Sequence, residues 1–262
     1  MEKVIILNKK EGETPLQSLE KFRRKNTEYK NLKMTYAGRL DPMASGVLII
    51  LIGDEIKKKE KYLNLKKEYV FEVLFGFATD TYDILGKIIK NTQNFSLHKK
   101  ELEKKIKDNL KCFTGKFMQK YPLYSSKTVR GKQLFEYARS NEEVKIPERE
   151  VFVESLKFNK IKLINKKNLL QNIEKRINKV KGDFRQEDIL KIWRKNLIFK
   201  KNNKKEEKFC VISFKIKCGS GTYVRGIANS LGNRINIPAF AFSIKRTKVG
   251  KFEIKDKNKK IR

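Results

Sequence analysis

The sequence predicts one α+β domain with a mixed, mainly antiparallel sheet flanked by helices. The chain has 262 residues, which is enough to bury a sizeable core in a single large domain. Several strand-like segments follow one another as in hairpins, and strands do not alternate strictly with helices. That order favours an α+β fold over a parallel βαβ arrangement.

The predicted strands are rich in β-branched and aromatic residues or consist of continuous apolar runs. Residues 47–53 are apolar up to a final glycine and are expected to form a buried strand. Residues 68–80 are expected to pair with residues 86–90 across a loop, and Tyr69 at the start of this strand is expected to pack at the sheet edge or in the core. The other predicted strands are 4–10, 149–164, 208–219 and 241–252.

The predicted helices have apolar residues at intervals of three and four. Thr14 and Pro15 suit the N-cap and first position of a helix over 15–26, and Asp54 is expected to cap a short helix over 54–63. The other predicted helices are 98–110, 132–140, 169–181, 186–197 and 222–235. The predicted loops include 35–46 and the charged run 200–208.

The chain is strongly basic. Lys and Arg total 63 against 30 Asp and Glu, a formal net charge of +33. This excess indicates a polyanionic partner, nucleic acid above all, although a lysine-rich composition bias is the alternative. No apolar run approaches the roughly 20 residues that cross a bilayer, and the N-terminus lacks the apolar core of a signal peptide. We therefore expect a cytoplasmic protein without membrane contact.

Histidine and cysteine are too scarce for several kinds of chemistry. The one histidine, His98, lies in a charged helical segment and is expected to be exposed, which excludes His-based triads and His metal clusters. Cys112, Cys210 and Cys218 form no CxxC pair and are expected to be small buried residues. The chain also lacks a P-loop, a GxGxxG fingerprint and an EF-hand, so we expect neither cofactor nor metal.

Asp41 is the first candidate for chemistry. It lies between Leu40 and Pro42, and Gly38 and Gly46 flank it. Proline biases the preceding residue towards extended backbone, and the glycines permit close approach of a ligand or another segment. By itself, however, Asp-Pro is an ordinary turn signal.

Arg225 is a second candidate, because its position in a helix calls for an anionic partner. With Thr222 or Ser220 as cap, the helix over 222–235 places this arginine near the positive end of its dipole, which is unfavourable for a cation. An anion should compensate, and either a phosphate or a buried carboxylate would do so.

Four blocks of the sequence together resemble the TruB-type pseudouridine synthases. The blocks are AGRLDPMASGVLIILIG, KEYVFEVLFGFATDTYDILGKII, YPLYSSKTVRGKQLFEYAR and CGSGTYVRGIANSLG. The resemblance implies the pseudouridine synthase fold and conversion of uridine 55 in the T-arm of tRNA to pseudouridine, without a cofactor. It further implies that Asp41 is the nucleophile, that Tyr69 stacks on the target base and assists proton transfer, and that Arg225 pairs with the aspartate. It leaves open whether the attack is on base C6 or sugar C1′.

The resemblance also predicts how RNA is held. An insertion over about 112–141 is expected to clasp the T-loop, with Lys127, Arg130 and Lys132 as phosphate contacts. Arg39, beside Asp41, is a further predicted RNA contact. Tyr36 stands where the family has a histidine associated with base flipping, and its ring could still stack on a base.

Domain organisation and function are expected as follows. Residues 1–262 form one catalytic domain without the small RNA-binding PUA domain of many relatives, acting as a monomer without an obligate protein partner. A basic helical insertion over about 161–208 is either a solvated surface element or a replacement RNA-binding surface. The alternative functions are a tRNA folding chaperone and a pseudouridine synthase for another RNA site.

Overall fold

The computed structural model describes residues 2–92, 99–197 and 207–254. His98 and residues 200–206 of the predicted charged loop lie outside these ranges. The described residues form strands β1 (Val4–Lys9), β2 (Met34–Ala37), β3 (Ala44–Ile52), β4 (Lys67–Phe75), β5 (Phe77–Thr79), β6 (Ile88–Asn91), β7 (Gly115–Lys120), β8 (Thr128–Val129), β9 (Lys132–Gln133), β10 (Glu148–Asn165), β11 (Lys208–Cys218), β12 (Ala239–Val249) and β13 (Phe252–Glu253). The α-helices are α1 (Pro15–Lys25), α2 (Lys59–Leu63), α3 (Lys99–Asn109), α4 (Leu134–Ser140), α5 (Lys166–Ile177), α6 (Gln186–Leu197) and α7 (Val224–Arg234).

One nine-stranded sheet organises the molecule. Its strand order is β1-β3-β12-β4-β11-β10-β7, with β2 paired to β3 and β13 paired to β12. All these pairs are antiparallel except β3 with β12, which is parallel. The mixed, mainly antiparallel sheet that the sequence predicts is therefore confirmed.

The sheet packs helices on both of its faces because its strands alternate in side-chain direction. On β11, Ile212 and Phe214 project into a core shared with α3 and α7, where Phe214 stacks on Phe71 with ring centroids 5.3 Å apart. On the other face, Phe209 and Trp193 belong to a second core that α5 and α6 cover. Helix α7 thereby lies on the same face as Tyr69 of β4.

Several predicted elements differ from the structure because their pairing partners are distant in sequence. The predicted loop over 35–46 contains the end of β2, where Tyr36 and Ala37 pair with Ile50 and Ile49, and the start of β3, which pairs with β12. The predicted strand over 68–80 breaks at Gly76, which has a φ of +108°, into β4 and β5. Its predicted pairing with residues 86–90 is confirmed for the last part only, where β5 pairs with β6. The final predicted strand is a hairpin of β12 and β13.

Other local predictions are also corrected. Asp54 caps no helix; it forms an exposed ion pair with Lys57, 2.9 Å away. Cys112 is exposed, whereas Cys210 and Cys218 are buried as expected. Tyr69 lies on a central strand of the sheet, between β12 and β11, and not at an edge.

The helical part of the predicted 161–208 insertion is not a solvated element. Residues 161–165 continue strand β10, and α5 and α6 bury apolar side chains completely, including Leu169, Ile173 and Trp193. This packing extends the main core, since Trp193 contacts Phe77 and Phe240 with ring centroids 5.1 and 5.7 Å apart. Within the described ranges, no helix has both the length and the apolar character to cross a membrane.

Candidate active site

Asp41 lies in the loop that joins β2 to β3, and a buried arginine holds that loop in place. Arg246 of β12 is 1% exposed and donates from Nη2 to the Gly38 carbonyl over 3.1 Å and from Nη1 to the Arg39 carbonyl over 3.3 Å. Its Nε donates to the Val47 carbonyl, 2.8 Å away. Because both ends of the loop are tied to one guanidinium, the position of Asp41 is well defined.

Two further contacts shape the same loop. Lys9 is fully buried and donates to the carbonyls of Lys10 and Pro42 over 3.0 and 3.2 Å. Burial lowers the pKa of Lys9 to about 8, and Glu13 and Asp41 oppose this effect. Gly46 has a φ of +107°, and a Cβ there would lie 2.1 Å from the Arg246 carbonyl, so the parallel β3–β12 pairing requires glycine.

Arg225 is the second residue of α7, and its side chain is only 3% exposed. Nε donates to Asp41 Oδ2 over 2.8 Å, Nη1 to the Thr81 carbonyl over 2.7 Å, and Nη2 to the Tyr124 carbonyl over 2.9 Å. Burial alone would lower the pKa of Arg225, but Asp41 and then Asp83 outweigh it and the net pKa is raised. The arginine therefore stays charged and orients the Asp41 carboxylate through a charge-assisted bond.

The start of α7 is fixed by a residue that sequence reasoning did not find. The N-cap is Tyr223, without a side-chain cap of its own, and not Thr222 or Ser220. Gln119 of β7 satisfies this backbone: its Oε1 accepts from Tyr223 N over 2.9 Å, and its Nε2 donates to the Tyr223 carbonyl over 3.0 Å. A partner 104 residues away in sequence gives no local signal.

Asp83 is a second carboxylate near Arg225, and it was not singled out from the sequence. It is buried, and its Oδ1 accepts from Thr81 Oγ1 over 2.7 Å and from Leu85 N over 2.9 Å. The pKa of Asp83 is raised to about 6. Burial is the largest cause of the rise, Arg225 opposes it and Asp41 adds to it. The TDTYD run contains this aspartate, and a buried acid beside a buried arginine is the kind of group that marks a functional site.

These side chains line a cavity of about 900 Å³. Asp41, Tyr69 and Arg225 all face it, and the Asp41 side chain is 39% exposed. Tyr69 is half-buried at the cavity wall; burial raises its pKa, an effect that Arg246 partly offsets. The cavity thus combines an accessible carboxylate with an aromatic ring, in a space suited to a nucleotide.

The predicted RNA contacts divide into two groups. Tyr36, Arg39 and Lys127 line the cavity, and Lys127 Nζ lies 5.5 Å from the Tyr121 ring centroid. Arg130 and Lys132 do not line it. They lie on the β8–β9 hairpin, where Lys132 Nζ is 2.5 Å from Glu142 Oε1 and is therefore already paired.

Six cations that were not predicted also line the cavity: Lys59, Lys67, Arg139, Arg149, Arg185 and Arg246. Burial lowers the pKa of Lys67 to about 8, and Arg246 lowers it further. Across the described ranges, no group of three His, Cys, Asp or Glu side chains is arranged to hold a metal ion. The reactive groups that line the cavity include the carboxylates of Asp41 and Asp83, phenols and cations, which suit covalent attack on an electron-poor carbon and recognition of a polyanion.

Comparison with known proteins is consistent with this geometry. Residues 24–184 match the model of the TruB family pseudouridylate synthase N-terminal domain. The tRNA pseudouridine synthase B of Ligilactobacillus salivarius (strain UCC118) is 31% identical over 254 residues, which cover 97% of this chain and 69% of that protein. The protein of the same name from Mesoplasma florum (strain ATCC 33453 / NBRC 100688 / NCTC 11704 / L1) is 31% identical, with 97% and 70% covered.

Solved structures support the fold independently. A Cbf5-Nop10-Gar1 complex matches with a TM-score of 0.53 and 19% identity, covering 95% of this chain and 49% of that one. An H/ACA RNP bound to a substrate RNA containing 2′-deoxyuridine matches with a TM-score of 0.50 and 17% identity, covering 95% and 48%. This chain thus spans about half the length of the solved chains, and at such identities the likeness shows the fold alone. Together with the family match, it establishes that the chain is a pseudouridine synthase of the TruB family.

Proposed function

We propose that this protein converts uridine 55 in the T-arm of tRNA to pseudouridine, with Asp41 as the nucleophile. One observation carries the assignment: the Asp41 carboxylate is exposed to a cavity while Arg225 Nε holds its Oδ2 at 2.8 Å. Arg225 orients a carboxylate in that position, and the carboxylate is able to reach a nucleotide that enters the cavity. The names of these two relatives support tRNA as the substrate.

In this proposal the target uridine leaves the helical stack and enters the cavity. Asp41 forms a bond to base C6 or sugar C1′, the N1–C1′ bond breaks, and the uracil turns so that C5 bonds to C1′. The C5 proton is then lost, N1 takes up a proton and the carboxylate is released, so that the reaction is an isomerisation in which no oxidant or reductant is consumed. The raised pKa of Tyr69 keeps its hydroxyl protonated at neutral pH, and this hydroxyl can relay a proton while its ring stacks on the base.

The basic residues supply affinity in the same proposal. Tyr36 and Arg39 lie at the cavity and would contact the displaced nucleotide and its neighbours. Residues 112–141 act as the element that grips the T-loop, with Lys127 at the cavity and Arg130 and Lys132 on its outer hairpin. The net charge of +33 supports phosphate contacts over a wide surface.

The test uses the purified chain alone, since the proposal needs no protein partner. Unmodified tRNA transcript is incubated with the wild type and with Asp41→Asn, and pseudouridine is mapped by carbodiimide-blocked primer extension. We expect one stop, at position 55, for the wild type and none for Asp41→Asn. A transcript with cytidine at position 55 is the matched substrate control. Absence of product from the wild type, a stop elsewhere, or undiminished product from Asp41→Asn would contradict the proposal.

A further inference from the structure

The turn between α5 and α6 reaches the active cavity. Phe184 and Arg185, its last two residues, line the cavity together with Tyr124. The helices on either side are anchored in the core by side chains such as Ile173 and Trp193, which are completely buried. The turn is therefore mounted on a rigid support and not on a free surface loop.

Side-chain hydrogen bonds fix the shape of this turn. Gln186 Oε1 accepts from Phe184 N over 2.8 Å, and Gln186 Nε2 donates to the carbonyls of Val180 and Gly182 over 3.1 and 2.7 Å. Arg139 of α4 donates to the Asp183 carbonyl over 2.9 Å. The turn is thus closed internally and tied to the predicted RNA-gripping segment.

Arg185 has an unusual backbone and a fully engaged side chain. Its φ is +63°, in the left-handed region that residues other than glycine rarely adopt. Nη1 donates to Asp80 Oδ2 over 2.8 Å and to Tyr124 Oη over 2.5 Å, while Nη2 lies 3.4 Å from Asp80 Oδ1. The guanidinium also lies 4.3 Å from the Tyr124 ring centroid. An uncommon backbone conformation retained for such contacts is typical of a functional site.

Arg185 contacts Tyr124, whose carbonyl holds Arg225, and Asp80, which precedes the second residue that holds Arg225. Arg225 Nη2 donates to the Tyr124 carbonyl, and Arg225 Nη1 donates to the carbonyl of Thr81, the residue after Asp80. Arg185 thus bonds the side chains of Tyr124 and Asp80, the residues that carry or adjoin the two carbonyl acceptors. A small displacement of either one would rotate the guanidinium of Arg225 and move its Nε relative to Asp41.

We propose that Arg185 is a positioning residue for the reaction: it holds Asp80 and Tyr124 so that Arg225 presents Asp41 in its reactive orientation. This role rests on the proposed roles of Asp41 and Arg225. In this role the α5–α6 segment supports the active site, and it is neither a solvated surface element nor an RNA-binding surface. Arg185 itself acts through Arg225 and does not need to touch the substrate.

The test compares Arg185→Asn with Arg194→Ala. Asparagine tolerates a left-handed backbone but is too short to reach Asp80 and Tyr124 together, so this change removes the guanidinium contacts without adding backbone strain. Arg194 also lies in the α5–α6 segment and pairs with Glu174 over 2.7 Å, but it does not line the cavity. Arg185→Lys serves as a second variant, since a lysine keeps the charge but not the forked contacts.

Three measurements distinguish positioning from general support of the fold. We expect Arg185→Asn to lower the single-turnover rate by roughly 10- to 100-fold, as misplacement of a catalytic group by about 1 Å does. We expect the tRNA dissociation constant and the thermal midpoint to stay close to those of Arg194→Ala. In ¹⁵N-arginine-labelled protein, the Nε–H resonance of Arg225 should move in Arg185→Asn and not in Arg194→Ala.

A double-mutant cycle completes the test. In an Arg225→Lys background, Arg185→Asn should cause little further loss of rate, because its effect passes through Arg225. An undiminished rate in Arg185→Asn, or full loss on top of Arg225→Lys, would overturn the inference while leaving the proposed function intact. If the wild type does not modify tRNA, the proposed function fails, and the Arg225 resonance alone decides the inference: an unmoved resonance overturns it and a displaced one supports it.

Discussion

Asp41 and Asp83 are both close to Arg225, but their surroundings differ. Asp41 is 39% exposed, faces the cavity and accepts directly from Arg225 Nε. Asp83 is buried, accepts from Thr81 Oγ1 and Leu85 N, and has its pKa raised to about 6 by burial. Arg225 thus stabilises one exposed carboxylate, Asp41, and one buried carboxylate, Asp83.

The difference teaches how a single arginine can serve structure and chemistry together. A reactive carboxylate must stay accessible to solvent or substrate, so it cannot be completely buried beside the arginine. Asp83 is buried in the cavity wall and supplies a second anion for Arg225, and Asp41 remains free to face the substrate. If the two aspartates have these separate roles, a substitution of Asp41 should mainly change the reaction rate, and a substitution of Asp83 should mainly change the free energy of unfolding.

The largest expected effect is the loss of activity in Asp41→Asn. We expect the rate of pseudouridine formation to fall by about 1,000-fold or more, since no other group in the cavity replaces a lost nucleophile. Because the side chain is partly exposed and asparagine still accepts from Arg225, the free energy of unfolding should change by less than about 1 kcal/mol. Tritium release from 5-³H-uridine tRNA and urea denaturation measure the two quantities. A stable and fully active Asp41→Asn variant would contradict the catalytic role that distinguishes Asp41 from Asp83.

Arg225→Lys is expected to affect both rate and stability. A lysine ammonium cannot reproduce three bonds that diverge from a planar guanidinium, so the rate should fall by about 100-fold. At least one buried carbonyl loses its donor, which should lower the free energy of unfolding by roughly 1 to 3 kcal/mol. The tRNA dissociation constant, measured by filter binding, should stay near the wild-type value. A large loss of affinity with a normal single-turnover rate would instead make Arg225 a phosphate contact.

A smaller and pH-dependent effect is expected for Asp83→Asn. The folded pKa of about 6 lies above the ordinary value of 3.8, so the folded protein binds this proton more tightly than the unfolded chain. The stability that protonation gives is therefore complete at low pH and is lost as the pH rises from about 4 to about 6, by at most about 3 kcal/mol. Asparagine cannot ionise and should abolish that loss.

The measurement for Asp83→Asn is the difference in free energy of unfolding between variant and wild type across this pH range. Taking the difference removes the other carboxylates, such as Glu13 and Glu72, whose pKa values are lowered and which act in the opposite direction. We expect the variant to gain stability relative to the wild type as the pH rises. A difference that is constant with pH would show that folding does not shift the pKa of Asp83.

The parts of this site that could be predicted from sequence depend on local spacing. Thr14 caps α1 as predicted, because the capping interaction with Gln17 spans three residues. The expectation of an anion at Arg225 also rests on a local rule, the dipole of its helix. Gln119 and the central position of Tyr69 depend instead on strand order and on contacts between distant segments, which no local pattern encodes.

The α5–α6 segment shows a different kind of limit. The apolar spacing of Leu169, Ile173 and Trp193 is visible in the sequence and is enough to predict buried helix faces. The spacing does not show which surface those faces cover, so the sequence leaves two alternatives for the segment, a solvated surface element and a replacement RNA-binding surface. The position of Arg185 at the cavity depends on the same packing, and it could not be predicted from the sequence either.

The smallest expected effect concerns the coupling of the two aspartates. The charge of Asp41 contributes to the raised pKa of Asp83, so Asp41→Asn should lower the pKa of Asp83 by a fraction of a pH unit, because burial is the larger cause and persists. Titration of the ¹³C carboxyl resonance of Asp83 in wild type and variant measures this directly. An unchanged pKa would mean that Arg225 screens the two carboxylates from each other completely, and the site would then behave as two independent ion pairs around one guanidinium.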